Sequence, residues 1–215
     1  FDPDRRVSAE DLRAILEAGR LAPSSFGYEP WKFLVVRDKD LRAELAPLAV
    51  GAGAVLRVGG LDFDFVHAGF CVSFHVTFVA DPRSSPAFEV EVHAAHIVND
   101  VLGVDFDPDS DLSQMFKGFQ EQLLGLSSPE DVDNWAQRQT YIALANMLSA
   151  AAALDIDSVP VEGFAVTAVT DLLAARGIID PAEWGVSVMA GFGYRAEEIH
   201  PKRRRDYDEV IQVIG

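Results

Sequence analysis

Residues 139–164 read QTYIALANMLSAAAALDIDSVPVEGF, from Gln139 to Phe164, and the rest of the chain is read outward from them. From Tyr141 to Leu154 nearly every residue is apolar or small, with interruptions only at Asn146 and Ser149. A helix that is apolar all round is buried on every side. This run falls short of the ~20 apolar residues that cross a bilayer. It is expected as the central helix of a soluble core, or as a helix packed against a second subunit. Its many alanines let another helix come close. Asp155 and Asp157 end the run, and Ser158-Val159-Pro160-Val161-Glu162-Gly163-Phe164 follows. Pro160 has a fixed φ and no N–H, and Gly163 admits close approach to the backbone. A buried helix feeding a rigid Pro-Val-Glu-Gly turn reads as a ligand platform, and equally as an ordinary helix-to-strand loop.

The 215 residues suit one domain, or one protomer whose core is shared with a partner. Hydrophobic residues make up 49% and charged residues 24%, which marks a globular chain rather than a disordered one. A formal net charge of −16 argues against a nucleic-acid partner, because phosphate affinity needs a basic face. The basic run Lys202-Arg203-Arg204-Arg205 is too small a patch to reverse that. Cys71 is the single cysteine, so an internal disulfide is excluded and a reducing, cytoplasmic location is expected. No window resembles a signal peptide or a membrane span. The chain begins at Phe1 rather than Met, and an upstream segment is expected to be missing from it.

Upstream of the central stretch, Ser8-Ala9-Glu10-Asp11 reads as an N-cap with an acid at N3, opening a helix. Leu12, Ile15, Leu16 and Leu21 give it one apolar face, and Pro23 stops it. The loop from Ala22 to Trp31, APSSFGYEPW, is dense in turn formers. Ser24 and Ser25 can donate to an anion or a ring carbonyl, or cap the neighbouring backbone. Lys32–Val36 reads as a buried strand, 38–48 as a short helix, and 71–78 as a half-buried alternating strand. The apolar, Gly-rich segment 49–61 has no clear periodicity. Pro86 marks N1 of a helix running to about Leu102. His93 and His96 lie three apart on it, without a metal partner at a recognised spacing.

Nearer the centre, Asp109 or Ser110 opens a helix carrying Met115, Phe116 and Phe119. Ser128-Pro129-Glu130-Asp131 starts the long central helix. Downstream, 165–176 reads as a helix and Trp184–Met189 as a strand. Gly191-Phe192-Gly193 is read as a turn, since it lacks the third glycine and the following helix of a dinucleotide site. The tail Val210-Ile211-Gln212-Val213-Ile214 alternates. Helices outnumber strands, which gives an α+β or α/β class with a small mixed sheet.

The chemistry these residues permit is narrow. There is no nucleophile elbow, no HExxH and no P-loop. Cys71 lies inside an expected strand and reads as a small apolar residue. The Ser-Ser loop, the Pro-Val-Glu-Gly turn and the Pro201–Arg205 segment remain. Together they supply hydroxyls, backbone N–H groups and fixed positive charge. That set suits a planar heterocycle with a phosphate tail, which Arg pairs bidentately and Lys holds as a point charge.

LAPSSFGYEPWKFLVV, QTYIALANMLSAAAALDIDSVPVEGF and HPKRRR, in that order, resemble the FMN-dependent nitroreductase family. The nearest branch is the oxygen-insensitive NAD(P)H nitroreductase and dihydropteridine reductase group. The resemblance spans most of the chain and is weakest over 49–70. It implies a nitroreductase-like α+β fold, a single domain over 1–215 with a central mixed sheet flanked by helices, and an intertwined homodimer binding FMN at its interface. Pro23, Ser24 and Ser25 match the loop that reaches the flavin from one subunit, with Gly27 where an Asn is common. Pro160, Val161, Glu162 and Gly163 match the turn under the isoalloxazine ring, where the Glu N–H faces N5. Lys202 and Arg204 match the pair that holds the phosphate. Phe26 falls on the substrate side, and Phe116 or Phe119 on a mobile helix over the pocket.

The family also has an Arg-x-Ser segment with a nearby Lys just before the position of Phe1. Leu61 and Asp64 fall where it has an Asn and a Lys. The resemblance further implies NAD(P)H as electron donor, a nitroaromatic, quinone or related acceptor, and ping-pong kinetics. It assigns no side chain as acid or base, and no metal. The alternative is a family member that binds flavin without this turnover, for storage or for a protein partner.

Overall fold

A computed structural model describes residues 1–2, 4–27, 29–49, 69–76, 103, 107, 109–181, 184–196, 198 and 201–215. The expected helix to Leu102 with His93 and His96, and the positions Leu61 and Asp64, lie outside the described residues.

Helix α1 spans Ala9–Arg20. Ser8 caps it as its sequence requires: the Asp11 N–H donates to Ser8 Oγ at 3.0 Å, and Ser8 Oγ donates to the Asp11 carboxylate at 2.7 Å. Ile15 is fully buried, while Leu12 and Leu16 are half-buried. Leu21, expected on the same apolar face, is 65% exposed instead. It is the C-cap residue, already turned off the helical path.

Strand β1, Trp31–Val36, follows the Ser-Ser loop. Its ends Trp31 and Val36 are buried but Lys32 and Val35 face outward, so it is half-buried rather than wholly buried. Helix α2, Lys39–Leu45, is capped by Asp38, which accepts from the Leu41 N–H at 2.7 Å. Strand β2 is Gly69–Val76. Helix α3, Asp111–Gly118, runs into a π-helical turn at Phe119–Leu123.

Helix α4, Pro129–Ala153, has the expected capping box between Ser128 and Asp131. Its 25 residues extend about 38 Å. β3 is Asp157–Val161, α5 Val166–Ala175, β4 Trp184–Gly193 and α6 Tyr207–Val210.

The sheet order is β1-β2-β4-β3. Every pairing is antiparallel, with Val36 opposite Phe70, Phe70 opposite Gly191, and Gly191 opposite Val159. The α+β class stands, and among the described strands none runs parallel to its neighbour. The α5 connection leaves and rejoins the same end of the sheet, so β4 returns against β3. Gly191-Phe192-Gly193 is not a turn but the end of central strand β4, paired with β2 at Gly191 and Phe192 and with β3 at all three. Gly193 is small for packing reasons: a Cβ there would stand 2.8 Å from the Phe1 ring.

Two apolar layers flank the sheet. Val36, Leu41, Leu45, Val161, Phe164, Val169, Leu173, Val186 and Met189 join it to α2 and α5. Ile15, Leu144, Met147, Ala151, Ile156, Val188, Ala190 and Phe192 join it to α1 and α4. A bulge makes this possible: Phe74 pairs Val186 but Ser73 pairs Val188, leaving Ser187 as the extra residue. Both Ser187 and Val188 then turn toward α4. Ser187 Oγ lies 2.7 Å from Thr140 Oγ1, in a buried pair. α1 approaches α4 closely because Gly19 has no side chain: a Cβ there would lie 2.7 Å from Met147 Sδ.

α4 is not buried on every side. Gln139, Thr140, Ala143, Leu144, Met147 and Ala151 face inward, while Tyr141 and Ile142 are 37% and 38% exposed and Ala145, Ala152 and Ala153 are also open. The run is apolar all round, but one chain covers only one side of it. The C-terminal tail beyond α6 is exposed too, with Val213 at 84% and Ile214 at 87%. It pairs with no described strand, so its alternation does not make a strand within one chain.

Candidate functional site

The Ser-Ser loop is a single 3₁₀ turn, Ser25–Gly27, closed by Gly27 N–H to Ser24 carbonyl at 3.1 Å. Gly27 has φ +72°, in the left-handed region that Gly and Asn tolerate best. Ser24 Oγ accepts from the Glu29 N–H at 2.8 Å, which fixes the loop and leaves the O–H proton to donate elsewhere. The Ser25 N–H donates to Gln139 Oε1 at 2.9 Å, and Gln139 is buried. Pro23 is exposed at the loop's entry. The side chains of Phe26 and Phe116 lie outside the described residues; Phe119 is half-buried in the π-helical turn.

The expected Pro-Val-Glu-Gly turn is half strand. Pro160 and Val161 end β3, paired with Ala190 and Met189 of β4. Pro is tolerated there because β3 is an edge strand. Val161 points into the core, at 5% exposure, and Pro160 points out. Glu162 and Gly163 lie beyond the last ladder pair, both exposed. Phe164 is buried again and bridges Ala49, while the Ala165 N–H donates to the Leu48 carbonyl at 2.8 Å. Two core anchors, Val161 and Phe164, thus bracket an exposed Glu-Gly pair and hold its N–H groups in one place.

Tyr141 of α4 joins that turn: its hydroxyl donates to Glu162 Oε1 at 2.5 Å. Burial first, and then the Glu162 carboxylate, pushes the phenol up to about 12. Tyr141 is therefore a neutral donor at neutral pH. Gln139 and Tyr141 were not singled out in the sequence. Neither carries a local signal of its own, because their partners lie 114 and 21 residues away.

These contacts fix where the two halves stand. Gln139 and Tyr141 are two residues apart, roughly 200° around the helix. One grips the Ser-Ser loop on the buried side of α4, the other the Glu-Gly turn on the open side. The loop leads into β1 and the turn leaves β3, the opposite edges of the sheet. Three strand spacings, roughly 14 Å, separate those edges. One chain does not bring the two segments together.

Lys202 and Arg204 are both exposed, and the guanidinium of Arg204 donates to the Arg203 carbonyl at 2.8 Å. Neither meets the loop or the turn among the described residues. An open cleft of 770 Å³ sits elsewhere, lined by Arg5, Arg6, Arg37, Lys39 and Arg42 together with Phe1 and Phe192. None of the expected site residues lines it. Among the described residues no helix is long and apolar enough to cross a membrane.

The profile of the Nitroreductase family matches residues 1–194. A Staphylococcus epidermidis protein, provisionally named an NAD(P)H nitroreductase, is 39% identical over 215 residues, covering 100% of this chain and 90% of its own. A Bacillus subtilis structure, provisionally described as a nitroreductase, superposes with a TM-score of 0.70 at 18% identity, covering 100% of this chain and 92% of its own. An Exiguobacterium sibiricum structure, provisionally described as a nitroreductase in complex with FMN, gives 0.68 at 16% identity, covering 99% and 90%. The structures match the fold, and the sequence matches carry the relationship: this chain belongs to the Nitroreductase family.

Proposed function

We propose that this protein is an FMN-dependent oxidoreductase, working as a homodimer of one nitroreductase-like domain per chain. NAD(P)H and a proton, with a nitroaromatic, quinone or related acceptor, yield NAD(P)⁺ and the reduced acceptor. FMN, when bound, supplies the hydride chemistry; the protein supplies binding, orientation and electrostatics. The observation that carries this reading is the separation of two pre-shaped half-sites on opposite flanks of α4. Each is pinned by its own contacts, and among the described residues of one chain neither meets its complement. A second copy, packed on the exposed face of α4 and embraced by the exposed tail, would supply it.

The residues fit the cofactor. The bracketed Glu162 and Gly163 N–H groups offer two donors to the polar edge of a flat ring. Pro160 and Val161 give that turn a stiff apolar base. From the partner, Pro23, Ser24, Ser25 and Gly27 would bring the free Ser24 proton to the same ring. Lys202 and Arg204 are exposed cations for the phosphate. Phe26, Phe116 and Phe119 would line the acceptor side. Donor and acceptor would use one slot in turn, which makes the kinetics ping-pong. The single Cys71 supports a reducing, cytoplasmic setting.

The test is the visible spectrum of the purified protein with its flavin released and identified, followed by NADH and NADPH oxidation with a quinone. About one FMN per chain with turnover is expected. FMN bound without turnover would instead favour a storage or partner-binding role. A colourless protein that takes up no added FMN would refute the reading.

A further inference from the structure

Glu162 presents a difficulty for the site as read. The turn offers two N–H donors, yet the same residue carries a carboxylate, and a negative charge left beside a ring that takes up electrons opposes that uptake. The charge is exposed, and β3 provides nothing to restrain it. What restrains it comes from the neighbouring helix: Tyr141 on α4 donates its hydroxyl to Glu162 Oε1.

We propose that Tyr141 is a positioning residue for this site, acting through Glu162: its hydroxyl ties the carboxylate back to α4, keeps it off the ring, and aims the Glu162 and Gly163 N–H groups. The inference rests on the FMN reading above. Three observations carry it. Val161 and Phe164 fix the backbone on either side of Glu162, so only the side chain's direction remains to be set. α4 is itself immobile at this point, held by the buried Thr140–Ser187 pair one residue away and by the Gln139–Ser25 bond two residues away. The phenol is a dedicated donor, since burial and the carboxylate both hold its proton on. A tether from a fixed helix to the one free group of a fixed turn determines where that charge sits.

The experiment compares wild type, Tyr141→Phe, Glu162→Gln and the double variant in the full chain. Two quantities are read. The first needs no cofactor: the ¹³Cζ tyrosine NMR signal at neutral pH, assigned by its loss in Tyr141→Phe. It should move in Glu162→Gln, because a charged acceptor becomes neutral. The second is the midpoint potential of bound FMN. Tyr141→Phe should shift the oxidised-to-reduced ratio at least threefold toward oxidised, about 14 mV lower for a two-electron couple. In the Glu162→Gln background the same substitution should leave the potential unchanged, since no charge remains to be released.

An equal shift in both backgrounds would mean that Tyr141 only props the turn, and would overturn the proposal. So would a tyrosine signal indifferent to Glu162. Failure to take up FMN at all would overturn both this inference and the reading it rests on. FMN bound with a potential independent of Tyr141 would overturn this inference alone.

Discussion

The buried pair between α4 and the β4 bulge permits a stability prediction from proton counting. Thr140 has one hydroxyl proton, and Thr140 Oγ1 donates it to the Gln137 carbonyl at 2.7 Å. The 2.7 Å contact with Ser187 must then run the other way, with Ser187 donating to Thr140 Oγ1. The two substitutions are not equivalent. Thr140→Val keeps the shape but strands the Ser187 O–H in a dry interface, which costs about 1–3 kcal/mol. Ser187→Ala removes the donor and leaves Thr140 still donating, so only the net bond is lost, about 0.5–1.5 kcal/mol. The double variant has no stranded group and should cost less than the sum, by at least ~0.5 kcal/mol of coupling. Urea unfolding at one fixed protomer concentration measures all three, since the stability of the proposed dimer would depend on concentration. A larger loss for Ser187→Ala than for Thr140→Val would refute the donor assignment. Strict additivity would refute the claim that the two hydroxyls form a closed pair.

Further predictions follow from the other contacts. Lys202→Ala with Arg204→Ala should weaken FMN binding by roughly 3–6 kcal/mol, at 1.5–3 for each charged phosphate contact; flavin fluorescence titration with unchanged affinity would put the phosphate elsewhere. Ile142→Glu, on the open face of α4, should leave the fold intact by circular dichroism but shift sedimentation from dimer to monomer. Gly19→Val should destabilise by about 1–3 kcal/mol through overpacking against Met147, seen as a lower urea midpoint. Tyr141 makes stability fall in alkali. The folded protein keeps its proton to about 12 and the unfolded chain releases it near 10, so its contribution is complete below pH 10 and lost as pH rises toward 12. The upper limit is about 2.7 kcal/mol, cut to about 1 by solvent at a partly exposed ring. Wild type should lose more stability between pH 9 and pH 11 than Tyr141→Phe does.

Local signals were legible wherever they act locally. Ser8 and Ser128 announce α1 and α4 because a cap hydroxyl needs an N–H only three residues ahead. The Ser24-Ser25 loop and the Glu162-Gly163 pair stand out for the same reason, as clusters of Pro, Gly and small polar residues. What the sequence hides is set by distant partners. Gly191 and Gly193 look like turn glycines, but strand order and the Phe1 ring place them inside β4. The open flank of α4 carries Tyr141, Ile142, Ala145, Ala152 and Ala153 beside only Asn146 and Ser149, so hydropathy alone does not mark it as uncovered. The Glu162–Tyr141 bond and the opposed placement of the two proposed half-sites depend on the order β1-β2-β4-β3, which no window of residues encodes.

Helix α4 also acts as a ruler. A residue added or removed between Gln139 and Tyr141 would turn one side chain by about 100° and slide it 1.5 Å relative to the other. Neither the Ser25 N–H nor the Glu162 carboxylate could follow, because each is anchored to its own edge of the sheet. Substitutions along this stretch can accumulate, whereas changes of length cannot. Insertions, whether by descent or by an engineer splicing in a reporter, belong in the exposed connections near Gly125 or Gly177, where both half-sites keep their spacing.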